Sequence, residues 1–142
     1  MTDRKRRSTL AAALAAASLL ALAGCASTGA KLEGTRWRLA AWTLSSLAPG
    51  DVAITAEFRD GRIGGRSGVN TYGGPYVAGP GDAFRAGPLM GTLMAGPEPA
   101  MRAERAFLDL LGQARSCRIE DGRLKLCDEG GGESLVFEAA GE

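Results

Sequence analysis

The sequence predicts an α+β domain: a strongly curved, barrel-like antiparallel β-sheet of short strands, closed or plugged by one main α-helix. Three observations predict it. Short segments with alternating apolar residues recur along the chain, residues 51–58 being the clearest. Turn signals separate them, notably Asp60-Gly61 and Asp121-Gly122. Only one stretch, residues 99–114, repeats its apolar residues at helical spacing.

Residues 1–24 have the layout of a secretory signal peptide, which is excluded from fold reasoning. A basic head at residues 4–7 precedes an apolar run at residues 10–22. That run is shorter than the roughly 20 residues that a membrane-spanning helix needs. The boundary sequence Leu-Ala-Gly-Cys, ending at Cys25, resembles the lipobox of bacterial lipoproteins. The resemblance implies cleavage before Cys25 and attachment of lipid to its sulfur and amino group.

The lipobox resemblance also implies a location. Ala26, rather than an aspartate, follows Cys25, which favours the outer membrane of a two-membrane cell, with the domain facing the periplasm. Several acyl chains on one cysteine give stable anchoring, whereas one chain alone binds marginally. The expected organisation is therefore a signal peptide at 1–24, a lipidated tether at 25–31 and one domain at 32–140.

The first half of the domain is expected to be strands. In residues 35–42, Trp37, Leu39 and Ala41 share one face, while Trp42 falls out of phase and is expected to be exposed. Residues 52–58 alternate again. The Asp60-Gly61 turn then returns the chain along residues 62–68.

The second half contains the helix. Residues 76–77 and 83–85 predict two short strands, and the apolar residues 88–95 predict either another strand or a buried connection. Within the helix, Glu104 interrupts an apolar stripe and is expected to reach inward to a hydrogen bond; the stripe consists of Met101, Phe107, Leu108 and Leu111. A hairpin over residues 116–127 and a final strand near residues 134–139 complete the domain.

Composition excludes several functions. The chain has no histidine, so Ser-His-Asp and Cys-His catalysis and histidine metal sites are absent. Without the leader, 13 basic and 15 acidic residues remain, a net charge of −2, so no nucleic-acid partner is expected. The remaining carboxylates, Asp60, Glu98 and Glu120 among them, form no catalytic or metal-binding spacing and are expected to be solvated. No catalytic residue, metal or cofactor is predicted.

A disulfide between Cys117 and Cys127 has to be considered, because an oxidising compartment favours disulfide bonds. The two-residue turn of their hairpin, however, places Cys117 opposite Leu126 and Cys127 on the other face. A register slip would expose Ile119, and only a β-bulge would bring the two sulfur atoms together without one.

The sequence "GVNTYGGPY" resembles the signature of the META domain, or HslJ-like, family. The matching residues are Gly68, Asn70, Tyr72, Gly74 and Tyr76. Further residues agree in order: Leu32, Gly34, Thr35 and Trp37 at the start, Thr92–Ala95 before the helix, and Leu135–Phe137 at the end. Relatives often carry cysteines where this chain has Val69 and Gly96, so any thiol role at those two positions is lost here.

The resemblance implies a compact, β-rich envelope domain, often lipid-anchored, with no established reaction. The expected function is that of a non-enzymatic, monomeric envelope lipoprotein that binds an envelope protein or glycan in stress response or assembly. A cell-wall hydrolase or hydrolase inhibitor, and a structural spacer, are the alternatives.

The glycine-rich motif itself is not a phosphate loop, since no lysine and no adjoining helix follow it. A structural loop that fixes the barrel is favoured over a ligand or partner surface. Its glycines would allow a bend, Asn70 would cap a turn, and both tyrosines would bury their rings.

Overall fold

A computed structural model describes residues 31–44 and 48–141 of the 142-residue chain. The predicted signal peptide, the lipid site at Cys25 and most of the tether lie outside these residues. In the two described ranges, no helix is long and apolar enough to cross a membrane.

Nine strands and one long helix make up the described domain, with a 3-10 turn at Pro49–Asp51. The helix is α1 (Glu98–Gln113). The strands are β1 (Arg36–Trp42), β2 (Thr55–Arg59), β3 (Arg62–Arg66), β4 (Thr71–Ala78), β5 (Phe84–Ala86), β6 (Met90–Gly91), β7 (Ser116–Glu120), β8 (Arg123–Cys127) and β9 (Glu133–Ala139).

The strands form one antiparallel sheet in the order β5-β4-β3-β2-β1-β9-β8-β7, and β6 pairs with β4. The sheet curves until its two ends meet. Ala83 forms a bridge with Ser116, and the amide of Phe84 donates to the carbonyl of Arg115 at 2.9 Å. The result is the nearly closed barrel with one helix that the alternating pattern predicted.

The two tight hairpins formed as predicted. Asp60 and Asp121, each followed by a glycine, have φ of 53° and 51°, as turns with two left-handed residues require. The inward faces of the strands and of α1 bury one apolar core, in which Phe58, Phe107 and Phe137 are fully buried. Helix α1 begins and ends one residue before the predicted bounds.

Three expectations are corrected. A β-bulge between Leu39 and Ala41 shifts the phase of β1, so Ala41 is exposed and Trp42 packs against the core. Of the two alternatives for residues 88–95, the strand forms at Met90–Gly91, and the buried connection is wrong because every residue from 90 to 95 is exposed. The motif is strand rather than loop from Thr71 onward.

Both hairpin cysteines are buried free thiols. Cys117 pairs with Leu126, and Cys127 pairs with Ser116, so the register is the one that the turn predicted. The disulfide is therefore not formed. Burial raises the pKa of the Cys117 thiol to about 12, with Asp82 and Cys127 adding to the shift.

Candidate functional site

The motif begins in a tight turn that lies against helix α1. Ser67 donates its amide to the carbonyl of Asn70 at 2.8 Å. Gly68 has φ +135°, and a Cβ there would lie 3.1 Å from Val52 Cγ1 and 3.3 Å from the carbonyl oxygen of Ala100. Only glycine accepts both this conformation and this approach to the first turn of α1.

Asn70 is 3 % exposed and joins three parts of the chain. Its Nδ2 donates to the carbonyl of Met94 at 3.1 Å and to Glu104 Oε1 at 2.8 Å. Its Oδ1 accepts from Thr92 Oγ1 and from the amide of Met94, both at 2.7 Å. The sequence suggested that the Asn70 side chain caps its own turn, and this is wrong. The side chain instead connects that turn to α1 and to the segment before α1.

Glu104 reaches inward from α1, as predicted. Its Oε2 accepts from Ser67 Oγ at 2.8 Å and from the amide of Asn70 at 2.7 Å. Burial opposes ionisation of the carboxyl group, but the hydrogen bonds from Asn70, Ser67 and Val69 outweigh it, and the pKa of Glu104 is lowered. We call this cluster, Ser67, Asn70, Thr92 and Glu104, the Asn70–Glu104 network.

The two motif tyrosines lie at different places in the barrel. Tyr72 is buried beside Phe107, and its hydroxyl donates to the carbonyl of Thr55 at 2.9 Å. Burial raises the pKa of Tyr72 well above its usual range. Tyr76 stacks on Phe84 and donates to Glu33 Oε2 at 3.0 Å. Both rings pack inward with bonded hydroxyls, which is the structural role that the sequence favoured.

Burial, together with the hydrogen bond from its hydroxyl to Glu33, raises the pKa of Tyr76 to about 12. Glu33 in turn has a lowered pKa, because the amide of Asp60 and the hydroxyl of Tyr76 donate to its carboxylate. This pair lies where the described chain begins, several residues along β4 from the Asn70–Glu104 network.

Residues 87–97, which we call the strap, cross the outer edge of β4 and lead into α1. Two pairs, Tyr72 with Gly91 and Gly73 with Met90, fix its middle to β4. A Cβ on Gly74 would lie 2.5 Å from the carbonyl oxygen of Pro88, so this glycine lets the strap cross directly over the strand.

A cavity of about 230 Å³ opens between the strap, β4 and α1. The Asn70–Glu104 network forms its polar wall. Its apolar wall comes from Tyr72, Leu89, Met90, Leu93 and Leu108. Leu93 is 99 % exposed and Met90 79 %, so the rim of the cavity is unusually apolar for a surface.

The family model of the META domain matches residues 30–141. The chain belongs to the META domain family. This confirms the resemblance that the motif carried.

Solved structures share this META fold. A protein from Burkholderia xenovorans, solved by NMR, is 26 % identical, with a TM-score of 0.66 over 80 % of this chain and 86 % of its own. A DUF4847 family protein from Bacteroides vulgatus, solved by crystallography, is 14 % identical, with a TM-score of 0.58 over 81 % of this chain and 99 % of its own. Neither is described by an activity, and a search of curated proteins found no match.

Val69 and Gly96, the two positions at which the family resemblance implies cysteines, are in contact here. A Cβ on Gly96 would lie 2.5 Å from Val69 Cγ2. The methyl groups of Val69 therefore occupy the space beside Gly96, and an apolar contact joins the motif turn to the strap where the resemblance expects thiols.

The META motif residues are thus brought together only in part. Asn70 and Tyr72 line the cavity, Gly68 and Gly74 permit close approaches beside it, and Tyr76 lies elsewhere. In the part of the chain that the structure describes, no group of three or more histidine, cysteine or acidic side chains could hold a metal.

Sequence reasoning missed the exposed strap residues Met90, Leu93 and Met94. One signal was available: residues 86–97 contain no charged residue in a chain that is 23 % charged. A buried connection would explain that composition equally well, so the signal alone does not separate core from interaction surface.

Proposed function

We propose that this protein is a non-enzymatic envelope lipoprotein whose META domain binds another envelope component through the cavity beside the strap, in stress response or assembly. The observation that carries the proposal is the apolar cavity bordered by an exposed, uncharged strap. Apolar patches of this kind on a small domain are typical of interaction sites.

The polar wall of the cavity supports binding over catalysis. Every oxygen and nitrogen atom of the Asn70 and Glu104 side chains is occupied by hydrogen bonds within the domain. A general acid or base needs a lone pair or proton directed at substrate. Among the residues that the structure describes, Glu104 is the one acidic residue that lines this cavity, whereas the hydrolase alternative requires two carboxylates facing one cleft.

A photo-reactive amino acid at Leu93 of the full chain, introduced in living cells, tests the proposal. We expect a crosslinked product that fractionates with the envelope. The matched control is the same amino acid at Arg38, an exposed position on β1, three strands along the sheet from β4. Equal products from both positions, or none from Leu93, would contradict a binding site at the strap.

Attachment to the outer membrane is a separate part of the proposal and rests on the lipobox ending at Cys25. Metabolic labelling with radioactive palmitate should mark the wild-type chain, which should sediment with outer-membrane fractions. Cys25→Ala should abolish the label. Equal labelling of the variant would refute the lipid anchor and leave the binding site untouched.

A further inference from the structure

The strap exposes one edge of an extended backbone. The amide of Thr92 donates to the carbonyl of Thr71 at 3.1 Å, and the amide of Met94 donates to Asn70 Oδ1 at 2.7 Å. Both amides therefore point toward β4 and the Asn70 turn. Because successive amides of an extended chain alternate in direction, those of Gly91 and Leu93 point away from β4.

No strand of the described sheet covers this outward edge. β6 pairs with β4 alone, and the cavity lies between the strap and α1. Proteins usually protect a free edge with charged side chains, an inserted proline or a covering element. The strap has no charge, its two prolines stand near its ends at Pro88 and Pro97, and Leu93 is almost fully exposed.

We propose that the strap binds an extended segment of a partner protein by β-strand addition, with one of the segment's apolar side chains entering the cavity. This deepens the proposed function and rests on it. Main-chain hydrogen bonds to Gly91 and Leu93 would supply affinity, and the cavity would select the side chain, as in other strand-addition complexes.

The chemistry of the strap favours a polypeptide over a lipid or glycan. Outward N–H and C=O groups at strand spacing match another strand, whereas the side-chain donors of the Asn70–Glu104 network are all used within the domain and cannot bind sugar oxygens. The strap also lacks cations that would attract lipid phosphates. The uncharged surface fits a segment that is itself uncharged and apolar at alternate positions.

A second copy of this chain fits less well. Regular pairing in β6 covers only Met90 and Gly91, and such a short edge buries much less than the roughly 800 Å² per partner of a stable interface.

The decisive experiment uses the full chain, isotope-labelled, and an uncharged-core peptide of alternating threonine and valine with a lysine at each end. Titration should shift the amide resonances of Gly91 and Leu93 while those of β1 stay unchanged. The same peptide, N-methylated at alternate residues on its pairing edge, should bind at least about three- to tenfold more weakly, because each lost main-chain bond costs that much.

Equal binding of both peptides, or no shift at Gly91 and Leu93, would overturn strand addition. Shifts that depend on protein concentration without any peptide would show that a second copy is the occupant, which also overturns the proposal. The N-methylated peptide needs no variant of the protein, so a folding defect cannot obscure the result.

Two substitutions at one position give an independent test. Leu93→Pro removes the outward N–H, whereas Leu93→Ala keeps it and removes the exposed side chain. We expect Leu93→Pro to weaken peptide binding about three- to tenfold and Leu93→Ala to weaken it less. The reverse order would mean side-chain recognition. If a photo-reactive amino acid at the exposed Met90 captures a partner in cells and the capture is insensitive to Leu93→Pro, strand addition fails while the proposed function stands.

Discussion

Every hydrogen-bonding group of the Asn70 side chain is used by bonds within the domain. A side-chain amide has two N–H donors and one oxygen with two lone pairs. The donors are used by Met94 and Glu104, and the oxygen accepts from Thr92 and Met94. A motif residue with no free donor or acceptor holds the strap in place and does not contact ligand directly through these groups.

Asn70→Ala should therefore destabilise the domain by about 1–3 kcal/mol, because it leaves hydrogen-bonding groups of Glu104 and of the strap without their partner. Denaturant unfolding followed by tryptophan fluorescence measures this. Asn70→Asp is the informative companion, because it places a second carboxylate 2.8 Å from Glu104 Oε1 and should be at least as damaging at neutral pH. An unchanged midpoint for both would mean that the network contributes nothing to stability.

Glu104 gives stability a pH dependence of known sign. Its pKa in the folded state is lowered from 4.5, so its contribution is fully present above that value and is lost as pH falls through the folded pKa. Glu104→Gln should cost about 2–3 kcal/mol at neutral pH, because an amide donor would face the donors of Asn70 and Ser67.

The difference in stability between wild type and Glu104→Gln should shrink as the solution is acidified below pH 4.5. Unfolding curves at several pH values check this. Glu98→Gln, at a side chain that is 81 % exposed on the same helix, should change stability by less than about 0.5 kcal/mol at neutral pH. A difference that grows in acid would reverse the sign argued for Glu104.

Helices and strands were predicted correctly where the spacing of their apolar residues follows a clear period. Helix α1 was predicted to within one residue because its apolar spacing is local. The strap was not, because residues 88–95 have no clear period, and its position depends on bonds between Asn70 and Met94, 24 residues apart. Trp42 was misplaced by a bulge that pairing with β9 imposes.

Strand β4 contains two adjacent glycines, Gly73 and Gly74, for which we expect substitution by alanine to have different effects on stability. A Cβ on Gly74 would meet the backbone oxygen of Pro88 at 2.5 Å, whereas one on Gly73 would find Ile63 O at an ordinary 3.6 Å. Gly74→Ala should therefore cost about 1–3 kcal/mol by displacing the strap. Gly73→Ala should stay within about 0.5 kcal/mol. Thermal melts of the pair measure both, and similar losses would show that the strap does not depend on close contact with β4.

The closure of the barrel belongs to the whole molecule. The amide of Cys117 donates to the carbonyl of Asp82 at 2.7 Å, and Phe84 bonds to Arg115, so the seam joins segments on either side of the strap and α1. Alternation and turns predict a curved sheet. They do not specify which ends meet, because the seam pairs residues that are far apart in the chain, such as Ala83 with Ser116, and no local pattern reports such a pairing.

Cys117 and Cys127 are buried thiols beside this seam. The rate at which they are alkylated reports whether the barrel opens as one unit. Because both are buried and the pKa of Cys117 is raised, alkylation by iodoacetamide at pH 8 should be at least about a thousandfold slower than in denaturant. Peptide mass mapping separates them from Cys25.

Asn70 lines the cavity and neither thiol does, yet Asn70→Ala should accelerate the labelling of both roughly tenfold or more if unfolding is cooperative. A closed barrel requires this, since the strap and the seam are held by the same helix. Labelling of Cys117 that is rapid in the wild type, or insensitive to Asn70→Ala, would mean that the seam opens by itself. The barrel would then be an open sheet with a separately stable strap.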